Sequence, residues 1–199
     1  MTVVYQFASG LYVNITNRCS NNCVFCVRNF ADTVGDALSL WLPQEPSLEE
    51  IWAGISARDL GVYDELVFCG FGEPTERLDV LLAVAALVKE TAPSLLIRIN
   101  TNGMGNLIAG EDITPRFKGL IDTVSVSLNA ARAADYEAIC RPAYTGAFEG
   151  LLEFTRQAAK YVPHTVMTVV AGVLPEQDIE RCRALAASCG AVLRVRSCI

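Results

Sequence analysis

Three cysteines, Cys19, Cys23 and Cys26, stand four and three residues apart in LYVNITNRCSNNCVFCVRN, residues 11–29. Thiolates bind zinc and iron–sulfur clusters, and the number of them decides which chemistry is open. A structural zinc site fills its tetrahedral positions with protein ligands, usually two pairs from separate segments. No second CxxC and no HxxxH follows here. A four-iron cluster is normally held by four thiolates, so three would leave one iron without a protein donor and free for chemistry. The competing explanations are a zinc knob that recruits a remote fourth cysteine, or three unrelated core cysteines.

Those cysteines need a scaffold. Apolar runs of strand length alternate with stretches of helical period, the pattern of repeated βα units and a parallel sheet. The runs predict strands over 11–16, 65–69, 95–100, 122–128, 165–170 and 191–196. Helices are predicted over 47–60 and 75–91, near 115–120, as a pair at 133–140 and 145–161, and over 176–189. Ser47 and Glu50 have capping-box spacing, and Pro175 before Glu176 suits a first helical turn. Residues 2–8 predict an extra strand or hairpin ahead of the cysteine loop at 17–29. Residues 27–46 lack a clean period and make the longest loop, and long loops in compact domains are usually functional or mobile. The expectation is an α/β fold with a parallel sheet in a single domain over 1–199, either open and doubly wound or curved as an incomplete barrel.

In either architecture ligands gather outside the carboxyl ends of the strands. The unusual residues sit there. CGFGEP (69–74) follows the second strand, NTNG (100–103) the third, SLNA (127–130) the fourth, and Ala171 and Gly172 the fifth. The sixth leads into Arg194, Arg196 and Ser197. Gly70 and Gly72 suit a tight βα turn, and they also let backbone carbonyls approach a bound ammonium group beside the negative charge of Glu73. The one histidine, His164, precedes the fifth strand. That puts it at the opposite, stability face and outside the chemistry.

The chain has 199 residues, 52% of them hydrophobic, which suffices for one sizeable core. A net charge of −6 gives no general hold on DNA, RNA or an anionic membrane, although a local basic patch is compatible with it. Eight cysteines in a chain neither small nor loop-rich, opening without signal-peptide regions, predict a reducing, cytoplasmic setting. The longest apolar run, VLLAVAALV at 80–88, is too short to span a bilayer, so no membrane segment is expected. Cys69, Cys140, Cys182, Cys189 and Cys198 form no compact second motif. Cys140 and Cys198 could face the site, but ordinary buried thiols are the expectation for both.

With CxxxCxxC at 19–26, an aromatic residue before the last cysteine, GFGEP where GGEP is familiar, and this order of strand-end motifs, the sequence resembles the radical S-adenosylmethionine (SAM) superfamily. Within it, LYVNITNRCSNNCVFCVRN, LWLPQEPSLEEI and the SLNA and YEAICRP segments are similar to the small TatD-associated radical SAM proteins. The resemblance implies a partial (β/α)6 TIM-like barrel in which Cys19, Cys23 and Cys26 hold one 4Fe-4S cluster. It implies that SAM chelates the open iron and is cleaved by one electron to methionine and a 5′-deoxyadenosyl radical, which abstracts hydrogen from a substrate. Carried over by residue, Phe25 offers backbone contacts to adenine, and Gly70, Gly72 and Glu73 cradle the methionine ammonium. Ser127 and Asn129 align with positions that bind ribose or methionine polar groups. Asn100 joins the cofactor-binding set; some relatives carry aspartate there, and lysine in place of Asn129. Arg141 matches a cation for the methionine carboxylate, and Gly172 flanks the adenine. The implied partners are SAM, an electron donor such as flavodoxin or ferredoxin, and a small-molecule or macromolecular substrate. An open iron also implies sensitivity to oxygen. The competing functions are a glycyl-radical-type activase of a protein partner and a non-enzymatic zinc or iron–sulfur module that docks a partner.

Overall fold

A computed structural model describes residues 2–196. Its strands and helices are β1 (Val4–Phe7), β2 (Gly10–Val13), α1 (Leu48–Ser56), β3 (Glu65–Phe68), α2 (Leu78–Thr91), β4 (Leu96–Thr101), α3 (Gly105–Ala109), β5 (Thr123–Ser127), α4 (Ala133–Cys140), α5 (Ala147–Ala158), β6 (His164–Val170), α6 (Glu176–Ser188) and β7 (Val192–Arg196). The seven strands lie in one sheet in chain order. β1 runs antiparallel to β2 as the expected opening hairpin, and every later pair is parallel. A doubly wound sheet reverses its strand order partway; this one never does, so the barrel-like alternative is the architecture.

Successive side chains of a strand point to opposite faces, and here the two faces differ in chemistry. Leu66, Phe68, Ile97, Ile99, Val124 and Val126 face the helices and are fully buried. Each such side chain stabilises the fold by about 1.5–3 kcal/mol relative to leaving it exposed. The residues of the other parity, among them Tyr12, Arg98, Asn100, Ser125 and Ser127, make a polar inner face. Arg98, only 8% exposed, grips both carboxylate oxygens of Glu65 and donates to Asn100 Oδ1 at 2.8 Å. On the helix side of the sheet end, Asp122 Oδ2 accepts from Lys89 Nζ and from the Ile97 N–H, both at 2.7 Å, which fixes α2 against β4.

Differences from the expected boundaries have local causes. β2 ends at Val13 because Asn14 turns to the loop at 27–46, donating from Nδ2 to the Leu40 carbonyl at 2.7 Å. That loop carries a 3-10 turn at Val27–Asn29 and is pinned down: Ala37 and Leu40 pack with Tyr5 and Phe71 in a second small apolar cluster. The helices expected over 47–60 and 75–91 are each split with a 3-10 turn, at Leu60–Val62 and Pro74–Arg77. The stretch near 115–120 is a 3-10 turn, Thr114–Phe117, and the five-residue α3 has no counterpart among the expected helices. Pro175 stands at the N-cap of α6 and not inside its first turn. His164 opens β6 instead of preceding it, at the strand end away from the cysteine loop, and is exposed. Among the described residues no helix is long and apolar enough to cross a membrane. Ser197 and Cys198 lie outside the described residues.

The capping box at the start of α1 is formed. Ser47 Oγ accepts the Glu50 N–H at 3.2 Å, and Glu50 Oε2 accepts the Ser47 N–H at 2.7 Å. Ser47→Ala removes the acceptor for an otherwise orphaned helix donor and is expected to cost about 1 kcal/mol. Urea unfolding checks this as a lower midpoint with an unchanged slope.

Candidate functional site

Cys19, Cys23 and Cys26 are half-buried free thiols on the loop that leaves β2. Backbone hydrogen bonds hold this loop from two sides. From the β3 side, the Glu73 N–H donates to the Arg18 carbonyl at 2.7 Å. Toward α4, the N–H groups of Asn22 and Val24 donate to the carbonyls of Cys140 and Ile139 at 3.0 and 2.9 Å. Arg28 ties the 3-10 turn back, its guanidinium reaching the carbonyls of Phe71 and Asn21 at 3.5 and 3.4 Å.

The glycines of CGFGEP have a steric reason that the sequence does not display. A Cβ on Gly72 would stand 2.3 Å from the Thr16 carbonyl oxygen and 2.6 Å from that of Arg18. A Cβ on Gly70 would stand 2.0 Å from Asn14 Oδ1. Close passage of the backbone at Thr16 and Arg18 therefore dictates glycine at 72, and the Asn14 side chain leaves no room for a Cβ at 70.

Glu73 is 2% exposed. Its Oε1 accepts from the Thr75 N–H at 3.1 Å and from the Thr75 and Thr101 hydroxyls at 2.7 Å each. Its Oε2 accepts one hydrogen bond, from the Asn102 N–H at 2.6 Å. Burial raises the carboxyl above its ordinary pKa, and these donors pull it back toward the anion. The Asn102 side chain turns to the cysteine loop, donating from Nδ2 to Ser20 Oγ at 3.0 Å and to Cys19 Sγ at 3.8 Å. Burial first, then the nearby Glu73 charge, pushes the Cys19 thiol up to about 12. A metal bound at Cys19 must therefore displace a firmly held proton.

The other side of the loop rests on Asn129 and Cys140. Asn129 is 4% exposed and holds a left-handed backbone, φ 57°. Its Nδ2 donates to Cys140 Sγ at 3.6 Å, and its buried Oδ1 has no hydrogen-bond partner. Asn21 is similar, donating to the Tyr136 hydroxyl at 2.9 Å with Oδ1 unpartnered. An unmet buried carbonyl costs about 1–3 kcal/mol. Both oxygens are acceptors left free for a water or a ligand, and at Asn129 the free acceptor coincides with a strained backbone. Cys140 is fully buried beside the cysteine loop, and the proximity of its thiol lowers the Cys23 pKa. Cys140 is the buried core thiol expected, and it also borders the cysteine loop and Asn129; Cys182 and Cys189 are likewise buried in the core, on α6 and at its end.

The expected site residues divide by position. Cys19, Cys23, Cys26, Gly70, Gly72, Glu73 and Asn129 surround one junction of loops. Asn100, oriented by Arg98, and Ser127 are half-buried on the inner face of the sheet. Phe25 is half-buried with its ring against the main core. Arg141 ends α4 with φ 46° and is exposed, lining an open cleft of about 470 Å³; its carbonyl accepts from the Asn22 N–H at 3.2 Å. Gly172, φ 78°, is an exposed turn with nothing near its Cβ direction. Thr101 and Asn102 fall within the NTNG stretch that stands out in the sequence, where only Asn100 has an expected role; Thr75, one residue past CGFGEP, is not among the expected site residues.

Zinc with four donors at about 2.0–2.3 Å requires tightly convergent side chains. Among the described residues no three His, Cys, Asp or Glu side chains form such a group.

The sequence model of the radical SAM superfamily matches residues 13–186, and the chain belongs to that superfamily. Membership implies a 4Fe-4S cluster and SAM. GTP 3′,8-cyclase of Corynebacterium glutamicum strain R is 29% identical over 147 residues, covering 68% of this chain and 35% of the cyclase. The chain thus spans about a third of the length of the curated relatives it matches. Methylornithine synthase superposes with a TM-score of 0.64 at 16% identity, over 96% of this chain and 53% of that one. Streptococcus suis SuiB bound to its precursor peptide gives 0.69 at 13% identity, over 98% and 40%. These two likenesses show a shared fold. The residues of this chain fit the implied cofactors: free thiols on a doubly pinned loop, a buried carboxylate with spare acceptor capacity, and an orphaned Asn129 carbonyl.

Because the atoms facing Gly72 are backbone carbonyls, neither can swing away from an added methyl. Gly72→Ala is expected to cost about 1–3 kcal/mol through overpacking and to lower iron loading after anaerobic reconstitution. Urea unfolding and an iron assay measure the two; wild-type values for both would show that the loop tolerates a Cβ.

Proposed function

We propose that this chain is a radical SAM enzyme in which Cys19, Cys23 and Cys26 hold one 4Fe-4S cluster and the inner face of the sheet receives SAM and a substrate. The observation that carries the reading is the junction of the cysteine loop with Glu73, where Gly72 lets two loops meet and Asn102 links the carboxylate to Cys19. When bound, the cluster supplies the electron for cleavage of SAM, whose adenosyl fragment takes a hydrogen atom from the substrate.

The chain's own part is to bind, orient and exclude water. Glu73 Oε2, with one donor, has room for the methionine ammonium, beside the loop of Gly70 and Gly72. The Asn129 carbonyl and the Ser127 hydroxyl suit ribose or methionine polar groups, with Asn100 below them. The Phe25 backbone is assigned to adenine, Gly172 to its flank, and Arg141 to the methionine carboxylate. Cys140, fully buried beside the cysteine loop, closes its rear to water. The similarity of residues 11–29 and 40–51 supports the TatD-associated subgroup, and the many reduced thiols support a cytoplasmic setting with a flavodoxin- or ferredoxin-type donor.

Protein reconstituted anaerobically with iron and sulfide, then given SAM and dithionite, is expected to form 5′-deoxyadenosine, read by mass spectrometry. Cys26→Ala is expected to form none and to lose the brown colour. Formation by that variant overturns the cluster assignment. A colourless wild-type protein with a single zinc would favour a partner-docking module instead.

A further inference from the structure

Two arginines on the inner face have no role in the reading above. β7 carries Arg194 and Arg196, and pairing with β6 sets Thr168 beside Arg194 and Val170 beside Arg196. One strand further, Ser127 pairs with Thr168. Residues paired side by side in a parallel sheet share a face, so Ser127, Thr168 and Arg194 form one row. That row is on the inner side, because Leu193, of the opposite parity, packs on the helix-side core. Arg196 lies close enough to Cys69, just past the end of β3, for its charge to act on that thiol.

The acids sharing this face are already engaged. Glu65 is held through both oxygens by Arg98, and Glu73 by its four donors. Asp178 of α6, the helix packed on β7, pairs with Arg132 and Arg181. Every ion pair among the described residues uses another cation, leaving Arg194 and Arg196 without a carboxylate. Thr168 is 3% exposed, and its hydroxyl donates only to the Val126 carbonyl at a long 3.5 Å. Among the described residues, one wall of a chain of net charge −6 thus carries two guanidiniums without a carboxylate, Arg194 exposed and Arg196 half-buried, and an under-bonded hydroxyl.

We propose that Arg194 and Arg196, with Thr168, bind an anionic group of the substrate, a phosphate or carboxylate, so that the substrate class is an organic anion. This rests on the reading of the inner face as the chamber for SAM and substrate. Guanidinium matches both anions in bidentate fashion. Adjacent strands lie about 4.8 Å apart, so Ser127 and Arg194, two strands apart, are separated by about 10 Å. A small molecule anchored at Arg194 can thus reach toward a cofactor held at Ser127.

The test titrates reconstituted protein, with and without SAM, against inorganic phosphate and against succinate by calorimetry. Wild type is expected to bind at least one of these anions in both conditions. Arg194→Gln/Arg196→Gln is expected to bind it about tenfold or more weakly, the scale of a lost charge-assisted contact. Its SAM affinity is expected to stay within about twofold of wild type, and Arg194→Lys/Arg196→Lys to recover part of the anion binding, since the charge remains. Three results overturn the proposal. Wild type binds neither anion. The Gln variant keeps its anion affinity but self-associates in sedimentation, which makes the arginines guards of the β7 edge. Anion and SAM affinity fall together with the anion competing against SAM, which assigns the arginines to the methionine carboxylate. Iron content and 5′-deoxyadenosine formation on the same samples keep the two readings apart: protein that loads iron and cleaves SAM but ignores both anions loses only the anion wall.

Discussion

The buried carboxylate of Glu73 is the constraint on which the functional end of the molecule depends. Its own N–H holds the Arg18 carbonyl, its Oε1 holds Thr75 and Thr101, and its Oε2 holds the backbone of Asn102. One residue, through its backbone N–H and its carboxylate together, thus joins the loops after β2, β3 and β4. A charge taken out of water is costly unless it is hydrogen-bonded, and the four donors offset much of that cost. Each residue of the GEPT segment has a part: Gly72 permits the approach, Glu73 supplies the acceptor, Pro74 starts a 3-10 turn, and Thr75 donates twice.

The division of the sheet into two faces explains why such a site can sit above it. A parallel sheet covered by apolar packing on both sides reads as continuous hydrophobic runs. Here β4 reads LIRINT, alternating over residues 97–100, and β5 reads TVSVS, alternating throughout. The apolar set is buried beneath the helices, and the polar set faces inward, where Arg98 bridges Glu65 and Asn100. A face built that way is weak as a hydrophobic core and suited to polar ligands. The stability of the domain therefore rests on the outer layer, which leaves the inner layer free to carry chemistry.

That division also decides what was legible in the sequence. The strands were plain, because apolar runs of strand length recur between helical stretches, and they fall within a few residues of their expected bounds. The helix α3 was not, since five residues hold too little of a period to register. Cys19, Cys23 and Cys26 stood out by local spacing. Asn102 and Cys140 did not, because each gains meaning through partners distant in the chain: Ser20 and Cys19 for the first, Cys23 and Asn129 for the second. The glycines were visible, yet the carbonyls that demand them belong to another loop. Spacing within a segment is readable; approach between segments has to be seen in three dimensions.

Backbone strain gives the last link between fold and site. Among the described residues three other than glycine have positive φ: Ala8, Asn129 and Arg141. Ala8 lies in the turn between β1 and β2, where a left-handed residue is ordinary. Asn129 and Arg141 lie on either side of α4, and Cys140, which closes that helix, touches both the cysteine loop and Asn129. Glycine would adopt either conformation with less strain. At Asn129 it would also remove the amide that donates to Cys140 and the carbonyl that stands unpartnered. The strain is tolerated because a side chain is needed there, and half of that side chain has no use within the protein. Its unmet oxygen leaves one acceptor free beside Cys140 and the cysteine loop, so the odd backbone of this loop holds an amide that serves the protein through its nitrogen and leaves its oxygen to whatever donor, water included, enters there.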